Sequence, residues 1–557
     1  MNLPRLYRTV RHLQRRQIVG QVWQRVQRRI ESPARFAERA VPDFPGCAWS
    51  PRAGILPPPQ HNNAEHIKAG RFEFVNDPRE IGWPPDWEIS EAPKLWQYNL
   101  HYFEWLWALD YADARAAVLD WIERHDLQRG RVGWEPYPTS LRLMNWCGVF
   151  FEKHRGKVES DTDFLSALWP SIFLQTEWLS RHLETHLLGN HYFENGAALA
   201  SVGACFRGPD ADRWVRTGLD ILSEQIPEQI LPDGMHFERS PMYHCRMVYL
   251  MLLLANVGRP EVRDLAERSL PGMLRALDFV CHPDGQIALF NDSAFGIYNQ
   301  PADLFAAAEK LIDPDSMPRR NGAGPWALLH AGYYGWRGGD GVYLICDAGP
   351  IGPDYIPGHA HGDIFSFELS VKGQRVIVDS GVHSYESGPM RDYCRSTRAH
   401  NTVEIDGRDQ AEFWGAFRVG RRGKPELLER ATVNDRLKVR ASHGGYRHSM
   451  PRAVHERSFL FDPPDDLVIK DNIQAEETVH TMSRIHVHPD CSVRMMGESF
   501  EVDFPGGRLC LEFSGADRTA QEQSYYCPEF GLKHDNTVLF AENHGMDVKT
   551  QLRIATH

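Results

Sequence analysis

The sequence predicts an α+β multidomain protein, in which a helical N-terminal half suggests an α/α toroid and the C-terminal half suggests an antiparallel β-sandwich. Three observations support this prediction. The chain has 557 residues, enough for two to four domains. Apolar residues recur at helical spacing to about residue 325, and short β-rich runs follow to the C-terminus. Helices followed by strands indicate an α+β chain or two separate domains.

Residues 1–90 are predicted to form a basic helical arm and an irregular, proline-rich wrapping segment. The first 50 residues carry a local net charge of +7 in a chain of net charge −12. Leu6, Val10, Leu13, Val22 and Val26 lie at roughly helical spacing among arginines. Such a helix packs on its own domain or makes peripheral contact with an anionic membrane, and both interpretations stay open.

The N-terminus has no apolar core of the kind that a secretory signal peptide requires. This predicts a cytoplasmic or inner-membrane-associated protein, with the periplasm as the alternative. No apolar run is long enough for a transmembrane helix. The ten cysteines form no CxxC pair, so we expect buried free thiols rather than a zinc ribbon or a redox motif.

Residues 91–325 are predicted to be the toroid domain, although helical periodicity alone does not separate a toroid from a helix bundle. The run WQYNLHYFEWLWALDYADARAAVLDWIERH places tryptophans and leucines on apolar helical faces. The run DFLSALWPSIFLQTEWLSRHLETHLLGN does the same, and its Gly189 is predicted to end the helix. Further helices are expected at roughly 195–205, 212–230, 242–257, 260–281 and 301–312.

Residues 326–557 are predicted to be the sandwich domain. The expected strands are GVYLICDAG, IFSFELSV, RVIVDSG, NTVEIDG, DLVIKDNI and RLCLEFSG, which glycine, aspartate or asparagine residues punctuate. The overall composition is that of a globular protein, and the net negative charge argues against nucleic acid as a partner.

Two segments of the helical half carry side chains suited to catalysis. Asn190, His191 and Glu194 lie in LLGNHYFENG after the predicted helix stop, where they would face solvent or a cleft unless they cap the next helix. Arg239 and Tyr243 lie in DGMHFERSPMYHCRMVY, ahead of a helix. A cation near a tyrosine favours the phenolate, although a hydrogen-bonded core tyrosine is the commoner case.

Two further segments lie among the strands. In PGHAHGDIFSFEL, His359 and His361 are two residues apart, so on a strand both would point to one face. Asp379 ends the next apolar run, and His400 precedes a later strand. One carboxylate and two imidazoles suit Zn²⁺, although histidines that close loop hydrogen bonds explain the pattern equally well. The remaining candidates in the HSYESGPMRDYCRSTRAHNTVEIDG segment are Tyr385, Arg391, Tyr393 and Arg395.

Together these segments resemble the heparinase II/III-like polysaccharide lyases and related alginate lyases. The segments GNHYFENG, DGMHFERSPMYH, GHAHGDIFSFEL, VDSG and RSTRAHNTV occur in the order typical of that family. The resemblance covers roughly residues 90–420. It implies an incomplete α/α toroid joined to an antiparallel β-sandwich, with the active cleft between them. The implied activity is β-elimination on an anionic polysaccharide that contains uronic acid.

The resemblance also implies a role for each matching residue. Asn190 would hold the uronate carboxylate, beside His191. Tyr243 would protonate the leaving oxygen, and His359 would be the cleft histidine. His361, Asp379 and His400 would bind a structural Zn²⁺. Glu194 and the pair Arg391 and Arg395 are weaker matches, and Tyr385 or Tyr393 would match a second catalytic tyrosine. Together with Arg239, which would make the cleft locally basic, these residues are expected to contact substrate.

Two other functions stay open on the sequence alone. A glycoside hydrolase needs two carboxylates flanking the scissile bond, and Asp233, Glu194 and Glu238 are available. A non-catalytic glycan-binding or assembly protein would keep the fold without turnover. The identity of the sugar, endo or exo cleavage and the oligomeric state do not follow from the sequence.

Overall fold

The N-terminal part of this computed structural model is helical. The structure describes residues 3–30, 33–125, 127, 131–319, 322–433, 436–448, 450–463 and 466–556. The helices are α1 (Leu3–Val10), α2 (Arg15–Ile30), α3 (Pro33–Ala37), α4 (Ala64–Lys68), α5 (Lys94–Tyr102), α6 (Tyr111–Arg124), α7 (Pro136–Gly148), α8 (Arg155–Ser160), α9 (Thr162–Arg181), α10 (Gly189–Cys205), α11 (Pro209–Gln229), α12 (Pro241–Asn256), α13 (Pro260–Glu267), α14 (Leu270–Phe279), α15 (Pro301–Ala308) and α16 (Pro389–Arg395).

The C-terminal part is built from antiparallel strands, and one two-stranded hairpin lies in the N-terminal part. The strands are β1 (Arg71–Phe74), β2 (Asp77–Glu80), β3 (Gly324–Leu328), β4 (Tyr333–Arg337), β5 (Tyr343–Asp347), β6 (Phe367–Val371), β7 (Gln374–Ile377), β8 (Val403–Ile405), β9 (Phe413–Trp414), β10 (Arg418–Val419), β11 (Pro425–Val433), β12 (Arg436–His443), β13 (Ala453–Asp462), β14 (Asp466–His486), β15 (Ser492–Met496), β16 (Ser499–Phe504), β17 (Gly507–Ser514), β18 (Arg518–Tyr526) and β19 (His534–Thr556). Every strand segment predicted from sequence overlaps one of these strands.

Two large sheets make up most of this C-terminal part, beside the short two-stranded pair β9–β10. Strands β3 to β7 pair in sequence order in a five-stranded sheet. The ten-stranded sheet has the order β11-β12-β13-β14-β19-β17-β16-β15, with β18 pairing β19 and β8 pairing β14. Leu344 and Phe367 of the first sheet share one hydrophobic cluster with Phe459 and Leu539 of the second. The alternating burial of β12 and β13 puts one face of each strand in this core.

A single large apolar cluster organises the helical part. Its fully buried members include Trp96, Trp121, Trp146 and Trp214, from helices α5, α6, α7 and α11. The tryptophan-rich sequence runs therefore supply the helical core, as their spacing predicts. No helix of the described chain is both long and apolar enough to cross a bilayer. All ten cysteines are free, and only Cys491 and Cys510 are partly exposed, so the expected free thiols are confirmed.

Two local predictions are wrong. Helix α9 ends at Arg181, and Gly189 begins α10 instead of ending α9. The chain turns between them with φ of 65° at Leu188 and 58° at Gly189, a conformation that glycine adopts without a side-chain penalty. His359 and His361 lie in a loop before β6 and not on a strand.

Candidate active site

Tyr243, Tyr385 and His359 form the centre of the candidate site. Ser240 caps α12 and accepts a hydrogen bond from the Tyr243 amide at 3.2 Å, which fixes the tyrosine in the first turn. The phenolic oxygens of Tyr243 and Tyr385 are 3.1 Å apart. The His359 ring centroid lies 4.1 Å from that of Tyr243 and 5.8 Å from that of Tyr385. Two hydroxyls and one imidazole therefore converge at one place.

The acidity of Tyr243 follows from its surroundings. Burial, and then the neighbouring Tyr385, raise the pKa of the Tyr243 phenol well above its ordinary value. Burial, followed by the charge of Asp292, raises the pKa of Tyr385 in the same direction. Both phenols are therefore neutral near pH 7 and can donate a proton.

Asp292, which the sequence patterns did not single out, holds the site together. Its two carboxylate oxygens lie 2.8 Å from His359 Nδ1 and 2.8 Å from His361 Nε2. Both oxygens also accept hydrogen bonds from Arg391. Burial opposes its ionisation, but Arg391 and the two imidazoles hold the pKa of Asp292 well below its ordinary value. The only signal in the sequence is the polar run Asn291–Ser293 inside the apolar segment ALFNDSAFG.

Helix α10 supplies the second group of site residues. Its first turn carries Asn190, which is buried, and His191, which is partly exposed. His191 Nδ1 lies 3.0 Å from Glu184 Oε1, and its ring is 4.3 Å from that of Tyr137. Burial lowers the pKa of His191, but Glu184 outweighs it and the net shift is upward. Glu184 and Tyr137 are two further site residues that sequence reasoning missed.

Glu238 connects the two groups. Its Oε1 accepts a long hydrogen bond of 3.4 Å from the backbone N–H of Asn190, and its Oε2 lies 3.7 Å from His359 Nε2. Oε2 is buried and has no hydrogen-bond partner among the described residues. Burial raises the pKa of the Glu238 carboxyl. The carboxylate therefore lies within reach of both the α10 group and the tyrosine group.

Several predicted substrate contacts are instead occupied by protein partners. Glu194 is fully buried and pairs with Arg246. Arg239 donates to the backbone carbonyls of Ala331, His330 and Phe237.

The other two arginines that were predicted to contact substrate also bind acceptors within the protein. Arg391 is fully buried against Asp292, and Arg395 donates to the carbonyls of Ala360, Gly415 and Ala416. The two tyrosine candidates have different partners. Tyr393 hydrogen-bonds Ser524 at 2.6 Å, whereas the hydroxyl of Tyr385 contacts that of Tyr243.

The three predicted metal ligands lie behind His359. Asp379 Oδ2 is 2.8 Å from His400 Nδ1, and the ring centroids of His361 and His400 are 5.3 Å apart. His361 Nδ1, His400 Nε2 and Asp363 Oδ1 are buried without a partner in the described chain. Buried polar atoms are rarely left unpaired, so His361, His400 and Asp363 offer atoms that a cation would accept, whereas both oxygens of Asp379 already accept hydrogen bonds from the protein.

A cavity of about 800 Å³ opens beside His191. Aromatic and basic side chains line much of it, among them Trp134, Trp178, Lys94, Arg131 and Arg181. Helix α2 contributes Trp23 and Gln24 to the same wall. This size and this mixture of side chains suit a polar ligand with several rings.

Comparison with known proteins identifies close architectural relatives. A heparin-sulfate lyase of Pedobacter heparinus is 25% identical over 502 residues, which cover 83% of this chain and 72% of the relative. A heparin-sulfate lyase of Bacteroides stercoris is 23% identical over 421 residues, or 63% and 60% of the two chains.

Solved structures agree in fold. A crystal structure of heparinase III superposes with a TM-score of 0.73 at 18% identity, covering 94% of this chain and 88% of that chain. Heparan sulfate lyase from Pedobacter heparinus gives a TM-score of 0.58 at 20% identity, covering 89% and 82%. Both comparisons show a helical N-terminal region followed by an antiparallel sheet domain.

Two family descriptions match nearly the whole molecule outside the arm. Heparinase II/III N-terminus matches residues 72–306, and heparinase II/III-like, C-terminal matches residues 320–555. The family resemblance drawn from the sequence motifs is thereby confirmed, and the protein belongs to the heparinase II/III-like family.

Proposed function

We propose that this protein is a polysaccharide lyase that cleaves an anionic polysaccharide containing uronic acid by β-elimination. The observation that carries the proposal is the convergence of Tyr243, Tyr385 and His359 beside the α10 pair Asn190 and His191. The relatives named heparin-sulfate lyases support it. Heparan sulfate is accordingly the first substrate to test, together with alginate.

The chemistry requires a stabilised carbanion next to the uronate carboxylate. The C5 proton of a uronate is weakly acidic while that carboxylate keeps its full charge. The side-chain amide of Asn190 and a protonated His191 would share that charge and stabilise the enolate as it forms. The upward-shifted pKa of His191 supports the protonated state.

Proton transfer then falls to the tyrosine group. A base removes the C5 proton, the electron pair forms the C4–C5 double bond, and the C4–O bond breaks. Neutral Tyr243 would donate its proton to the leaving oxygen. Where the departing groups lie on opposite faces of the sugar, a histidine accepts the C5 proton. Where they lie on one face, Tyr243 serves both steps only after losing its own proton to solvent: the phenolate takes up the C5 proton and passes it to the leaving oxygen.

The site favours a lyase over a hydrolase. Glu194 is ion-paired with Arg246, and Asp233 accepts hydrogen bonds from the amides of His330 and Ala331. A hydrolase needs two carboxyl groups flanking the scissile bond. Near the tyrosine group, Glu238 is the one hydrolase candidate from the sequence, and the carboxylate of Asp292 is held by Arg391 and two histidines. The presence of a complete donor and acceptor set argues against a purely binding protein.

The decisive experiment is a Tyr243→Phe variant assayed on acidic polysaccharides for gain of near-ultraviolet absorbance, the signature of an unsaturated product. We expect wild-type protein to turn over and Tyr243→Phe to lose at least about 100-fold in kcat, since general acid catalysis contributes on that order. Tyr393→Phe is the matched control and should retain activity. New reducing ends without absorbance would indicate a hydrolase, and binding without cleavage would indicate a glycan-binding protein.

We further propose that α5–α15 form the incomplete α/α toroid and that the two sheets form a β-sandwich, with substrate bound between them. The shared cluster of the two sheets supports the sandwich. The domain limits of this proposal are residues 1–90, 91–325 and 326–557. A location beside polysaccharide synthesis at the inner membrane stays a prediction, which cell fractionation would test.

Zn²⁺ is the proposed structural cofactor, held by His361, Asp379 and His400. When bound, it would brace the loops behind His359, with the unpaired ring nitrogens of His361 and His400 among its ligands. We predict about one equivalent of zinc per chain by elemental analysis, and its loss in His400→Ala with a lowered Tm. His448→Ala, on a surface turn, is the control. Zinc-free wild-type protein with an unchanged Tm would contradict the assignment.

A further inference from the structure

The two N-terminal helices, α1 and α2, expose apolar side chains to solvent and turn polar side chains toward the rest of the protein. Helix α2 presents Ile18, Val19, Val22, Val26 and Ile30 to solvent, with 40–69% of each residue exposed. The spacing of four residues places most of them on one face. Helix α1 likewise exposes Leu3, Tyr7 and Val10 at helical spacing, and none of its residues is buried. We call these eight side chains the outer face of the arm.

Polar groups hold the arm to the rest of the protein. Gln17 is buried and donates to the carbonyls of Leu187 and Tyr355 at 3.2 Å each. Gln24 contacts His186 at 3.2 Å. At Gly20 an added Cβ would lie 2.8 Å from the backbone nitrogen of His186, so α2 and the loop that contains His186 approach as closely as glycine allows.

Helix α1 is likewise held to the rest of the protein by polar contacts. Arg8 Nε donates to Glu412 at 2.8 Å, and Trp414 donates to Thr9 Oγ1 at 3.0 Å. A helix on a globular domain normally turns its apolar stripe inward. Here both helices turn it outward, which the packing of this chain does not explain.

The positive charge of the arm favours an anionic partner for its outer face. The first 30 residues contain eight arginines and no acidic side chain. Arg11, Arg15 and Arg25 are exposed beside the apolar stripe. A second copy would bring the same positive charges against one another, whereas an anionic bilayer offers both an apolar interior and opposite charge.

We propose that the outer face of the arm docks this protein on the surface of an anionic lipid bilayer, with the valines and isoleucines in the interface and the arginines at the headgroups. The matched family region begins at residue 72, so the arm lies outside that family region. The proposal stands independently of the lyase activity.

The test is flotation of the full-length protein with vesicles of phosphatidylglycerol and phosphatidylcholine. We expect co-flotation that weakens with added NaCl and is absent on phosphatidylcholine alone. Val22→Glu/Val26→Glu should lose at least about 10-fold in partition. Arg15→Gln/Arg25→Gln should lose about 30-fold at low salt.

Met495→Glu/Met496→Glu is the matched control, because these two residues of β15 are similarly exposed. It should float as wild type does. Absence of binding, or equal binding by the Val22/Val26 variant, overturns the proposal. A dimer in sedimentation that the Val22/Val26 variant dissolves would also overturn it, because the face would then join two copies. Circular dichroism confirms that each variant is folded.

Discussion

At the level of single residues, the sequence motifs contain the groups that we propose to react but not the carboxylate that holds them in place. Tyr243, His359, Asn190 and His191 stand in recognisable motifs, and the structure brings them near one another. Asp292 carries no motif, yet it binds two histidines and Arg391. Its importance follows from burial in a low-dielectric interior, which sequence spacing does not encode.

The role of Asp292 can be tested by Asp292→Asn. The change leaves Arg391 buried without its counter-charge, which costs about 3–5 kcal/mol. We expect a matching loss in the free energy of unfolding by urea, and loss of turnover because His359 loses its partner. Asp466→Asn breaks the exposed pair with Arg553 and should cost about 1 kcal/mol or less. Equal stability of the two variants would contradict this account.

At the level of elements, helix α10 carries Asn190 and His191 and depends on small residues for its place. Its Gly196 and Gly203 face Ile221 and Val215 of α11. Across the same contact, a Cβ at Gly218 would lie 2.6 Å from the Ala200 nitrogen. The sequence predicted both helices but not this close approach, because helical periodicity reports which face is apolar and not how near two backbones come.

The same substitution at two helical glycines isolates this contact. Gly218→Ala should destabilise the protein by about 1–3 kcal/mol through overpacking against backbone. It should also lower activity, because α10 must shift. Gly156→Ala in α8 meets nothing within 4 Å and should be neutral or stabilising by up to about 1 kcal/mol. Thermal unfolding measures both, and similar effects at the two sites would refute the packing argument.

At the level of the whole molecule, polar bonds join the helical and sheet regions. Arg337 of β4 pairs with Asp278 of α14 at 2.9 Å, and Tyr343 donates to the Phe279 carbonyl at 2.6 Å. The arm reaches the sheet region through Glu412. That contact spans more than 400 residues of sequence, so no local pattern predicts it.

The Glu412 contact has a defined pH dependence. The hydrogen bond from Arg8, against the opposing effect of burial, lowers the pKa of Glu412 from 4.5 to about 2. A depressed folded-state pKa contributes stability that is complete above pH 4.5 and is lost as the pH falls toward 2. We therefore expect the Tm difference between wild type and Glu412→Gln to be largest at neutral pH and to shrink below pH 4.5. A difference that stays constant to pH 3 would exclude this linkage.

The sequence by itself determined the order of helices and strands, the family, and the residue types of the proposed site, because periodicity and local motifs are properties of neighbouring residues. Only the tertiary structure decided which candidates face one another. It separated Tyr385 from Tyr393, committed the predicted substrate arginines to protein acceptors, supplied Asp292, and turned the apolar stripe of the arm outward. Those outcomes depend on burial and on contacts between distant segments, which the linear spacing of residues leaves undetermined.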